Sequence, residues 1–124
     1  MIERGDVAAP ADGIPAVAIE RYDAIIATRP GIERKGASMP YTSINGHMFS
    51  FLTPEGVLAL RLSPADRERF LSSHPDAIVE RHRRVLKEYV AVPDELFAST
   101  EALAPLFALS AGHVASLPPK PTKR

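Results

Sequence analysis

The sequence predicts an α+β fold: a two-layer sandwich in which an antiparallel sheet of about four strands carries flanking helices, in the order α-β-β-β-α-β-α. Three observations predict it. Asn45-Gly46 separates Tyr41-Thr42-Ser43-Ile44 from His47-Met48-Phe49-Ser50-Phe51-Leu52, and Asn-Gly is the preferred pair for a two-residue hairpin turn because both central residues need positive φ. A second turn, Thr53-Pro54-Glu55-Gly56, leads into Val57-Leu58-Ala59-Leu60-Arg61-Leu62 and completes a three-stranded meander. Helical spacing then brackets the meander on both sides.

The first helix is read from Val17, Ile19, Tyr22, Ile25 and Ile26, whose spacings of three and four form one apolar face. Pro15 suits its first turn, and Pro30-Gly31 stops it. In the third strand Leu58, Leu60 and Leu62 share a face that buries against helices. Ala59 and Arg61 share the other, which is free to stay wet. Ser63-Pro64-Ala65-Asp66 opens the second helix: serine caps, proline suits the first position, and Asp66 complements the dipole. Phe70 and Leu71 face inward there, and His74-Pro75 ends it. The stretch from Asp76 to Arg83 reads as neither helix nor strand.

Val85 to Val92 is rich in β-branched and aromatic residues and stops at Pro93, which predicts the fourth strand. The last helical region, Asp94 to about Ser116, turns Leu96, Phe97, Leu103, Leu106, Phe107, Ser110 and Val114 inward. Pro105 has no N–H, so two helices are expected, or one that restarts near Glu101. Residues 1–13 read as a flexible leader, 14–117 as one domain, and 118–124 as an extended tail with three prolines and the cations Lys120, Lys123 and Arg124.

Length and composition narrow the function classes. The 124 residues, 45% of them hydrophobic, suit one domain with one core. Fifteen basic residues against fifteen acidic ones lack the overall footprint of a dedicated nucleic-acid binder. Without cysteine there is no disulfide, thiolate metal site or thiol nucleophile. Neither a secretion signal nor a membrane-spanning run is read, so a cytoplasmic protein is expected.

Catalytic motifs are missing too. His47, His74, His82 and His113 form no close ligand pair, and no metal or cofactor is expected. No serine sits in G-x-S-x-G, and the glycines form no phosphate cradle. Gly31 to Gly36 reads as a charged helix-to-strand connection. Among the carboxylates Glu33, Glu55, Glu80 and Glu88, only Glu88 falls in an apolar run, where an ion pair is its plain reading.

Charge is nevertheless uneven. The segment from Arg61 to Lys87 carries an excess of basic residues, densest at Arg81-His82-Arg83-Arg84. Arg81, Arg83 and Arg84 read either as an anion-facing or nucleic-acid-facing patch or as a solvated edge that discourages aggregation. For a small ligand, the polar groups on or near strands are Lys35, Tyr41, Lys87 and Tyr89.

These residues also carry a resemblance. Lys35, Met39, Gly46-His47-Met48-Phe49-Ser50 and Leu58-Ala59-Leu60-Arg61, in that order, resemble the N-terminal domain of the TfoX/Sxy proteins. Tyr89-Val90-Ala91-Val92-Pro93-Asp94-Glu95-Leu96 is similar to that family's strand, proline and helix start. The likeness spans roughly residues 17 to 116. It departs where Met39-Pro40-Tyr41-Thr42 replaces Met-Phe-Gly-Gly and where the first hairpin is shorter, which marks a divergent branch. The C-terminal domain of full-length competence regulators has no counterpart in these residues.

The resemblance implies an α+β fold, a bacterial cytoplasmic setting and no known catalytic centre. It also implies a link to activation of competence genes alongside a cyclic-AMP receptor transcription factor. Residues and resemblance together predict a non-enzymatic interaction domain, accessory to transcription, that binds another protein or itself as a homodimer. The alternatives are a ligand-binding domain or enzyme with a pocket between sheet and helices, and weak nucleic-acid binding through the arginine patch.

Overall fold

The computed structural model describes residues 13–36 and 38–119; the leader before Gly13, Ala37 and the tail after Pro119 lie outside the described residues. Ten elements follow in order: α1 (Ala16–Ile26), β1 (Tyr41–Ile44), β2 (His47–Leu52), β3 (Leu58–Arg61), α2 (Pro64–Ser73), β4 (Glu80–Arg81), β5 (Arg84–Val85), β6 (Tyr89–Ala91), α3 (Asp94–Phe97) and α4 (Thr100–Ala115). Strands β1-β2-β3-β6 form one sheet in that order, and each neighbouring pair is antiparallel. The α+β class and the meander are as the sequence predicts. Asn45 and Gly46 both take positive φ, at 55° and 85°, in the turn between β1 and β2.

Local signals set most of the helix ends. The Ser63 hydroxyl accepts the Asp66 N–H at the start of α2, and His74 caps its end. Pro15 stands just ahead of α1, as its N-cap. The last region is two helices: Ala98 closes α3, and Ser99 caps α4 by accepting the Ala102 N–H. Pro105 lies inside α4, so the break falls six residues ahead of it. The inward face of α1 is Ala18, Tyr22, Ile25 and Ile26, whereas Val17 is half exposed. Its spacing fits the stripe, but its side chain lies outside the buried face.

The fourth strand is shorter than its composition predicts. Only Tyr89–Ala91 pairs with β3; Arg84–Val85 instead pairs with Glu80–Arg81 as a separate hairpin. The residues between, Leu86 to Glu88, turn the chain from one to the other: the Tyr89 N–H donates to the Leu86 carbonyl. The stretch that read as neither helix nor strand is therefore half of a second hairpin.

This hairpin changes the layering. The helical side of the sheet is packed as expected, with Tyr22, Ile25, Phe49, Leu58, Leu60, Leu103 and Phe107 fully buried. The other side is covered as well, because Val79 and Leu86 from the hairpin segment pack on Phe51 and Ala59. Ala59 is wholly buried rather than wet. Its small side chain leaves room above β3 for the Phe51 and Tyr89 rings to meet, with centroids 5.3 Å apart.

A β-bulge in β2 distributes its side chains. Thr42 pairs with Ser50 and Ser43 with Met48, so Phe49 is the extra residue. Phe49 and Ser50 consequently both face the helices, where Phe49 meets Phe107 at 5.5 Å. Phe51 faces the hairpin.

Candidate functional site

Polar groups concentrate in two places, one buried and one exposed. In the buried one, Thr42 and Ser50 face the helices from adjacent strands and hydrogen-bond one another, and the Tyr22 hydroxyl from α1 lies 2.7 Å from Ser50 Oγ. Nearby, Ser110 Oγ on α4 lies 2.6 Å from the Arg61 carbonyl and 3.3 Å from that of Phe49, the bulge residue. A hydroxyl has one proton to donate, so the shorter contact is its bond. All four side chains are fully buried. Burial pushes the Tyr22 pKa far above its ordinary value, against the lowering effect of its hydrogen bonds to Ser50 and Thr42. These hydroxyls bind elements to one another and are closed to solvent.

The exposed cluster is the β4–β5 hairpin. Glu80 pairs with Val85, and Arg81 with Arg84, around a turn of His82 and Arg83. Both turn residues have positive φ, 54° and 65°, without a glycine between them. Strand alternation places Val79, Arg81, Arg84 and Leu86 toward the sheet, and Ile78, Glu80 and Val85 outward. The Arg81 guanidinium lies 6.0 Å from the centre of the Phe51 ring. Phe51 itself is only 1% exposed, so it offers no face on which a nucleic-acid base could stack. On the outward side, Ile78 and Val85 are 41% and 44% exposed.

The four residues proposed for a ligand do not converge. Lys35 and Tyr41 are joined by two backbone hydrogen bonds at the β1 edge, where Lys35 Nζ donates to Ser43 Oγ at 3.2 Å. Tyr41 and Tyr89 pack in the same cluster around Phe51. Tyr89 is engaged at both ends: its hydroxyl donates to the Met48 carbonyl at 2.9 Å, and its own carbonyl accepts from Arg67 Nε at 3.0 Å. Burial pushes the Tyr89 pKa up to about 12, against the opposing pull of Arg61. Lys87 stands apart, on a 510 Å³ groove between α2 and the turn before β6, with Arg67, Glu68, Leu71 and Glu88.

Glu88 is exposed and forms an ion pair with Arg61, Oε1 to Nε 2.7 Å, in which the N–H points off the carboxylate. The space between sheet and helices is filled by core side chains. Among the described residues no group of three or more His, Asp or Glu side chains could hold a metal ion. His47 Nε2 contacts the Pro118 carbonyl, and His74 stacks on Phe70. No described helix is long and apolar enough to cross a membrane.

Sequence reading missed Thr42, Ser50 and Ser110 as a polar set. No motif could reveal them, because their partners come together only when separate elements pack. Ile78 was hidden in the stretch of undecided structure. Comparison of the chain with protein-family models, with curated proteins and with solved structures returns no match.

Proposed function

We propose that the chain is a non-enzymatic protein-interaction domain, of the TfoX/Sxy N-terminal kind, that acts as an accessory to transcription regulation in the bacterial cytoplasm. One observation carries the reading. The outward side of the β4–β5 hairpin sets exposed Ile78 and Val85 close to the exposed turn residue Arg83. Apolar side chains mixed with arginine are the composition enriched where proteins dock. The displaced titratable groups support it from the other direction: Tyr22 and Tyr89 both spend their hydroxyls on holding elements together. The sequence resemblance supplies the link to transcription.

Affinity capture from a bacterial lysate followed by mass spectrometry tests this, run in parallel with a Val85→Glu variant. The reading expects a partner, or a second copy of the chain, that the wild type retains and the variant releases. Identical captures for both would sink it.

A further inference from the structure

We propose that the β4–β5 hairpin is a docking knob for an acidic segment of a partner protein, one that also carries apolar side chains. This rests on the interaction reading above and names the partner's chemistry.

The hairpin is built against its own stability. Arg81 and Arg84 are directly opposed across its two strands, and like charges so placed repel. His82 and Arg83 both hold left-handed backbone that side chains with a Cβ resist. The turn between β1 and β2 meets the same geometry with Asn45-Gly46, so this chain uses the favourable solution where only folding is at stake. Arg21, Arg34, Arg61 and Arg69 each have a carboxylate partner. Arg81, Arg83 and Arg84 have none among the described residues, although the Arg81 guanidinium does lie over the Phe51 ring. An anion at the tip would relieve the Arg81–Arg84 repulsion and supply the missing counter-charge.

The kind of anion follows from the neighbours. Ile78 and Val85 present apolar surface on the outward side, and Glu80 stands between them. A nucleic acid gains nothing from the aliphatic surface, and its bases need an exposed aromatic face, which Phe51 beneath Arg81 does not provide. An acidic polypeptide with apolar residues uses Arg83 at the turn and the aliphatic surface of the outward side together.

The test is fluorescence anisotropy on the full chain, using a short fluorescein-labelled peptide that alternates Glu with Val, and a single-stranded DNA oligonucleotide as the competing probe. The peptide is expected to bind more tightly than the DNA and to weaken as salt rises from about 50 to 200 mM. Arg83→Glu combined with Arg84→Glu should lower its affinity by about tenfold or more. Arg83→Gly serves as a second variant, with opposite expected signs: a higher Tm because the backbone is relieved, and weaker peptide binding because a charge is lost. Unchanged binding in either variant, or no peptide binding by the wild type, overturns the proposal. Tighter, hairpin-dependent DNA binding overturns it in favour of a nucleic-acid face. Lysate capture that survives the double charge reversal, but not Val85→Glu, leaves the interaction reading standing and removes the arginines from it.

Discussion

Ser110 is a polar residue on an otherwise apolar helix face, and its position explains why it is tolerated. The bulge at Phe49 and the end of β3 leave two carbonyls near α4, and the Ser110 hydroxyl donates to the closer one, that of Arg61. Ser110→Ala strips a buried carbonyl of its donor and is expected to destabilise the fold by about 1–3 kcal/mol. Tyr22→Phe is milder, about 0.5–1.5 kcal/mol, because Ser50 and Thr42 still satisfy each other. Urea midpoints of the two variants check the order; a larger loss for Tyr22→Phe would contradict it.

Titration of the tyrosines belongs to the same scale. Folding raises both phenols above their unfolded value, to about 12 for Tyr89 and beyond that for Tyr22. Below about pH 10 neither state ionises, and the stabilisation is fully present. Above it the unfolded chain loses protons that the folded chain keeps, so stability falls as pH climbs toward 12 and above. Urea unfolding between pH 9 and 11.5 should show this decline, with a shallower slope in Tyr89→Phe.

Elements differ in how much of their shape is written locally. The β1–β2 turn is legible because Asn45-Gly46 is the pair its φ angles demand. The β4–β5 turn is not, because His82-Arg83 takes the same positive φ against its own preference, imposed by the strands it joins. Two glycines give opposite predictions for one chemical change. Gly36 has a φ of 96°, and a Cβ there would overlap the Met39 carbonyl oxygen. Gly36→Ala is expected to destabilise by at least about 1 kcal/mol. Gly112 lies within α4 with open space where its Cβ would stand. Gly112→Ala should stabilise by about 0.5–1 kcal/mol. Thermal melts that move the two variants in the same direction would refute one assignment.

Across the whole molecule the two faces of the sheet are covered unequally. Among the described residues, four helices close one side, and a hairpin of two-residue strands closes the other. The thin side holds only a small cluster around Phe51, Ala59 and Val79. Local opening is therefore expected to begin there. Amide hydrogen exchange should be fastest in β4–β5 and slowest in β2 and β3. Leu60→Ala should cost about 2–5 kcal/mol, and Val79→Ala distinctly less. A partner that docks on the hairpin would slow its exchange while leaving the meander unchanged.

The sequence alone determined the α+β class, the meander with its first turn, the capped start of α2 and the division of the last helical region, because each depends on residues adjacent in the chain. It also exposed the arginine cluster as a run of charge. Only the tertiary structure decided that Val85–Val92 divides between two sheets, that the second sheet face is covered, and that three hydroxyls meet in the core while Ser110 reaches a backbone carbonyl. Those outcomes rest on side chains far apart in sequence competing for the same buried space, and no local pattern records which of them wins.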